Sequence, residues 1–220
     1  MNLLIKYFSL KGLHLYIGVF LSNILLIWLS KTLLINDVVF YNAFSSQLTY
    51  DRSLQLFQAM KRLSWISYAL TPVILLIKFL MITFVIYIGA FFFNVQSKLP
   101  LGSIFKIVIA SEIVFVIAGF VKFFWFYLFA GNYNLNDLWF FYPLSLVNFF
   151  NKSELSKVWI YPFQTINLFH LFYIFLISIG LNKLCDIEKS YSDRIVFLSY
   201  LPALIVWVSL IIFLTIDVSI

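Results

Sequence analysis

The residues of this 220-residue chain that could do chemistry are few, and they stand inside long apolar runs. Glu112 lies in the run 104–129 together with Lys106 and Lys122, Lys78 in 73–93, and His170 in 163–181. An ionisable group near the middle of a bilayer costs at least about 2.5 kcal/mol, so it ordinarily has a partner or a task. Glu112 is the sharpest case. Eight residues into its run, at about 1.5 Å of rise per residue, it is roughly 12 Å deep and too short to reach water. Two readings stay open: a carboxyl protonated or hydrogen-bonded against a neighbouring helix, or a working carboxylate in a cavity.

Lys78, Lys122 and His170 share a second property. Counted from the ends that open onto the first and third loops, each falls roughly 8–10 Å deep at the helical rise. If their spans are neighbours, the three converge on a basic pocket suited to a lipid phosphate or a small anion. Gln164, Asn167 and His170, spaced i, i+3, i+6, would give that pocket a polar edge. The alternative is that the lysines snorkel separately to the headgroups while His170 hydrogen-bonds between helices.

Other chemistries lack their tools. A zinc protease needs a pair of histidines one helical turn apart, and the two here are His14 and His170. No G-x-S-x-G elbow, no glycine-rich phosphate loop and no two carboxylates within one apolar run occur. Cys185 is the single cysteine, which excludes an intrachain disulfide and a thiolate metal cluster. Asp186, Glu188 and Asp193, mixed with Lys183, Lys189 and Arg194, read as a solvated turn. The formal charge is +6, but no four basic residues are consecutive, so no nucleic-acid partner is expected. Neither enzymatic activity, a cofactor nor a metal is expected.

The elements that must carry these residues follow from composition. The chain is 63% hydrophobic and 11% charged, against about half and about a quarter in soluble domains. It therefore reads as an all-α, polytopic integral membrane protein forming a single membrane domain. A bilayer core of about 30 Å takes about 20 apolar residues per helix. Runs of that length predict five transmembrane helices over about 13–34, 73–93, 104–129, 163–181 and 195–216. Pro72 and Pro162 would open the second and fourth, as proline at a first turn does, and Pro202 would kink the fifth near its start. Residues 51–70 carry an apolar stripe (Leu56, Phe57, Met60, Leu63, Ser67) opposite Arg52, Gln55, Lys61 and Arg62, which predicts an amphipathic interfacial helix with Asp51 as its N-cap. Residues 138–150 are apolar but too short to cross, hence interfacial or re-entrant. Gly18 with Ser22, and Ala118 with Gly119, are candidates for close helix approach. Basic residues divide seven against eight between the two faces, which leaves orientation undecided.

Towards the carboxy-terminal half the text becomes familiar. Residues 161–207, and within them Asn167, Leu168, Phe169, Gly180 and Leu181, resemble the last two helices of Yip1-like membrane proteins. Residues 102–126, with Ala110 and Glu112, resemble the third helix of bacterial Yip1-like or permease-type small membrane proteins. The resemblance implies a five-helix bundle with a cytoplasmic amino terminus, no catalytic residues, and association with other integral membrane proteins or with further copies of itself. Eukaryotic members place a long cytosolic tail before their helices; the first hundred residues here do not match it, and no trafficking role is carried over. The expectation is a non-enzymatic subunit or scaffold of a membrane protein complex in a bacterial inner membrane, surrounded by bilayer lipids. The alternative is a small transporter or permease component using Glu112, Lys78, Lys122 and His170.

Overall fold

The computed structural model describes residues 2–45 and 47–218. Its α-helices, in chain order, are α1 (Asn2–Ser9), α2 (Gly12–Leu29), α3 (Asp37–Phe44), α4 (Tyr50–Arg62), α5 (Trp65–Phe92), α6 (Leu101–Ser111), α7 (Ile113–Leu128), α8 (Leu135–Phe140), α9 (Lys157–Thr165), α10 (Leu168–Leu184) and α11 (Lys189–Val218). A π-helical turn, Ser30–Leu34, extends α2. No strand occurs among the described residues, only one isolated antiparallel bridge between Ser145 and Asn167.

Among these residues four segments are long and apolar enough to cross a membrane: Gly12–Leu34, Trp65–Phe92, Leu101–Leu128 and Lys189–Ile216. Helix α10 is apolar but has 17 residues. At the helical rise that is about 25 Å, short of a hydrocarbon core. The continuous fourth span expected over 163–181 is thus divided. Helix α9 stops at Thr165, the chain extends through Ile166, and α10 starts afresh where the Asn167 Oδ1 accepts the His170 N–H at 2.8 Å. Such a side-chain cap satisfies one of the donors that a helix start leaves without partners. Helix α9 nevertheless packs on α11, with the Trp207 indole N–H donating to the Tyr161 hydroxyl at 2.8 Å, and α10 packs on α11 as well. The two short helices follow one another along a single long one.

The prolines also sit differently from expectation. Pro72 lies well inside α5, which begins at Trp65, and Pro162 lies inside α9 rather than opening a span. Pro202 comes near the middle of α11, because that helix starts at Lys189. Each helix begins before the apolar run expected for it, at Trp65, Lys157 and Lys189, so the prolines fall inside.

The core forms where α2, α5, α6, α10 and α11 meet, with Phe79, Ile86, Ile107, Tyr173, Ile177 and Ile195 fully buried. Glycines set the closest approaches. A Cβ on Gly180 would stand 2.5 Å from the Ile107 Cγ2, and one on Gly89 would stand 2.7 Å from the Ser199 Cβ. Gly119 meets the Leu26 Cδ1 at 2.7 Å by the same construction, as its expected role requires. Gly18 does not fill that role: it faces open space, and the Ser22 hydroxyl donates to the Gly18 carbonyl within its own helix.

Helix α4 covers most of the stretch expected to be amphipathic. Its N-cap position is Thr49, with Asp51 in the first turn instead. Phe57 packs on Phe40 of α3, ring centroids 5.5 Å apart, whereas Leu56, Met60 and Leu63 are exposed. The expected non-crossing segment, 138–150, comprises the end of α8, a bend and a 3-10 turn, Leu146–Phe149. It folds back on the α9–α10 junction: the Leu146 N–H donates to the Ile166 carbonyl at 2.9 Å, and the Leu168 N–H to the Leu144 carbonyl at 3.2 Å. The Gln164 amide donates to the Trp139 and Phe140 carbonyls at 2.6 and 2.8 Å. Backbone groups freed by the helix break thus find partners inside the protein, the condition for interrupting a helix away from water.

Candidate functional site

Glu112 occupies the single-residue hitch between α6 and α7. The Ser111 hydroxyl donates back to the Ile107 carbonyl at 2.9 Å, and the Glu112 N–H bonds to the Ile109 carbonyl three residues back. A serine back-bond and a shift from i−4 to i−3 bonding both bend a helix locally, and tightening of this kind often marks a working position. The hitch turns the Glu112 side chain towards α5, where the Lys78 Nζ donates to its Oε1 at 2.6 Å. The Glu112 side chain is 5% exposed and that of Lys78 38%, so the carboxylate is enclosed while the lysine side chain is partly exposed. The second carboxylate oxygen, Oε2, is buried without a hydrogen-bond partner, and so is the hydroxyl of Tyr173.

An aromatic hub surrounds the pair. Phe115, nearly one turn beyond Glu112, lies under the Lys78 ammonium, 4.5 Å from Nζ to the ring centroid. That is a favourable position for a cation on an aromatic face. The same ring meets His170 at 4.8 Å and Tyr173 at 4.9 Å, and Tyr173 in turn meets Tyr200 of α11 at 5.7 Å. His170 is held by Asn167, whose Nδ2 lies 3.0 Å from the ring Nδ1. Because the Asn167 Oδ1 already accepts the His170 backbone N–H, the amide is oriented and its nitrogen is the donor. The His170 Nδ1 therefore accepts, and in the neutral ring the proton resides on Nε2. Tyr142, on the folded-back segment, feels the same carboxylate: burial, with the Glu112 charge adding to it, pushes its phenol up to about 12.

Of the residues singled out in the sequence, the structure gathers Lys78, Glu112, His170 and Asn167. The arrangement differs from a purely basic pocket, because Lys78 is paired with Glu112 and the nearest charges cancel. Lys122 stands apart on α7, partly buried, with no hydrogen bond or ion pair to the others. Gln164 lies on α9 and Asn167 caps α10, so Gln164, Asn167 and His170 do not form one helical edge. Asp193, expected in a solvated turn, lies in α11 and accepts a hydrogen bond from the Ser178 hydroxyl of α10. Phe115, Tyr173 and Tyr200 were not foreseen; Phe115 at i+3 from Glu112 and Tyr173 at i+3 from His170 were the available signals. Among the described residues no three His, Cys, Asp or Glu side chains gather as a metal site.

Chemically the site offers a partly exposed lysine paired to an enclosed carboxylate with one unpartnered oxygen, and an imidazole behind a shared aromatic ring. Comparison with family models, curated proteins and solved structures finds no match to this chain.

Proposed function

We propose that this chain is a multi-pass membrane protein, not an enzyme, acting as a small transporter or permease component for a small anionic solute. Five crossings are assigned, the fourth made by α9 and α10 in succession. The observation that carries the reading is the Lys78–Glu112 pair, with its partly exposed lysine and unpartnered Oε2. A purely structural buried pair gains by satisfying all its polar atoms, since each orphan costs about 1–3 kcal/mol. An ionisable pair beside interrupted helices is the arrangement in which membrane proteins hold solutes near the bilayer midplane. The Yip1-like resemblance of residues 102–207, the bacterial inner membrane and the cytoplasmic amino terminus belong to the same proposal.

The test is proton flux into proteoliposomes carrying an internal pH-sensitive dye, under an imposed pH gradient with chloride, phosphate or acetate outside. Anion-dependent flux by the wild type, lost in Glu112→Gln and Lys78→Met, is the expected result. Flux that Glu112→Gln leaves unchanged, or wild-type vesicles no leakier than empty ones with all three anions, refutes it.

A second reading, a subunit or scaffold within a membrane complex, draws on α4. Leu56 and Met60 of α4, and Leu63 and Trp65 just after it, are exposed apolar side chains in the same stretch as Arg52, Lys61 and Arg62. Purification in mild detergent with a stoichiometric partner, or as a homo-oligomer, supports it; monomer alone opposes it.

A further inference from the structure

We propose that the groove at the α9–α10 break is a binding site for one acyl chain of a bilayer lipid. The proposal rests on the membrane reading above but not on transport. The groove has a volume of about 830 Å³ and lies between the folded-back segment, the α9–α10 junction and α11. That size is within the roughly 300–1,000 Å³ of small-molecule sites. Leu146, Ile166, Leu171, Ile174, Leu204 and Ile205 form its apolar walls, and no charged side chain lines it.

Four of the six polar side chains that line the groove are committed elsewhere, His170 and Ser209 being the other two. The Ser145 hydroxyl and the Asn148 amide both donate to the Tyr142 carbonyl, and the Thr165 hydroxyl donates to the Tyr161 carbonyl. The Asn167 amide nitrogen is shared among the Gln164 and Thr165 carbonyls and the His170 Nδ1, while its oxygen accepts from the His170 backbone N–H. A polar ligand would find few free partners; hydrocarbon needs none. Extended peptide is disfavoured too, because the backbone at Leu144 and Ile166 is already paired in the bridge.

Position selects the source of the hydrocarbon. The α11 residues that face the groove, 201–209, lie around the middle of Lys189–Ile216, at the depth of acyl chains rather than headgroups. Its mouth is rimmed by the exposed apolar side chains of Ile166, Leu168, Leu171 and Ile205, so a chain enters sideways from the bilayer. Each methylene buried there adds favourable transfer free energy, which makes a long chain a tighter occupant than a short one.

The experiment uses the full chain in mild detergent, washed extensively and then presented with dioleoyl phosphatidylethanolamine, with bound lipid counted by native mass spectrometry. The wild type is expected to hold one lipid that survives washing. Leu171→Trp and Ile205→Trp, which fill the groove from exposed wall positions, should weaken its retention at least about tenfold, the loss from excluding roughly two methylenes. Phe84→Trp, on the exposed face of α5, should retain lipid as the wild type does. Matching far-UV circular dichroism and melting keep a misfolded variant from counting as support. A folded wild type that retains no lipid, or groove-filled variants that retain it undiminished, overturns the proposal. So does a protein chain that cross-links to Leu171→Cys in stoichiometric amount. None of those results bears on membrane insertion, which extraction by detergent but not by alkaline carbonate reads separately.

Discussion

Replacing Lys78 by methionine should destabilise the protein more than replacing Glu112 by glutamine, and the reason is the unequal enclosure of the two partners. Removing one member of a fully buried pair costs about 3–5 kcal/mol, because the other charge is left uncompensated in low dielectric. Exposed pairs contribute at most about 1 kcal/mol. The pair here is mixed, with the Glu112 side chain 5% exposed and the Lys78 side chain 38%. Lys78→Met strands the enclosed carboxylate, so the cost lies towards the buried limit, at about 2–3 kcal/mol. Glu112→Gln leaves an ammonium on a partly exposed side chain that can turn outward, and the cost falls to about 1 kcal/mol. The double variant removes both charges and should cost no more than Lys78→Met alone, a coupling of about 1–2 kcal/mol. The assay is equilibrium unfolding in mixed micelles at rising SDS fraction, followed by circular dichroism. Equal losses in the two single variants would refute the reasoning from unequal enclosure, and a double variant additive within about 0.5 kcal/mol would show that the 2.6 Å contact does not fasten α5 to the α6–α7 hitch.

Other consequences are as direct. Asn167→Ala removes the cap on α10 and the hydrogen bonds to Gln164 and Thr165, and should lower stability by about 1–2 kcal/mol in the same unfolding assay. Gly180→Ala drives a methyl into the branched, fully buried side chain of Ile107 and should cost about 1–3 kcal/mol, whereas Gly18→Ala, with nothing nearby, should be neutral or slightly stabilising. Burial raises the Cys185 thiol above its ordinary value, so less of it is thiolate at a given pH. Its reaction with a membrane-impermeant maleimide at pH 8 should therefore be slower than that of a free thiol and should accelerate as pH rises. Reaction at free-thiol speed would contradict its partial burial, and protection on one side of sealed vesicles would orient the α10–α11 turn.

Glu112 was conspicuous in the sequence because a short acidic side chain deep in an apolar run has no way to reach water. Its neighbour was not, since Lys78 is 34 residues away in the chain and was read with Lys122 and His170 as part of a basic pocket. The choice depends on which face α5 turns towards α6 and α7, and the buried Leu75, Phe79 and Ile86 decide it by packing. The division of the fourth run was hidden for a related reason. Residues 163–181 are apolar apart from Gln164, Thr165, Asn167, His170 and Ser178, and hydropathy reads such a stretch as one helix. The break is stable because Leu144 and Leu146 arrive from twenty or more residues away to satisfy the backbone at Ile166 and Leu168.

What the residues determined by themselves is class: an all-helical chain with several runs long and apolar enough to cross a membrane, a helix being the element that satisfies its backbone locally. Tertiary structure alone decided the partner of Glu112, the aromatic hub on Phe115, the close contacts at Gly89 and Gly180, and the groove at the α9–α10 break. Each joins surfaces of helices distant in sequence. Every face of such a helix is apolar, so periodicity marks no side as inward, and only packing of the whole bundle selects one.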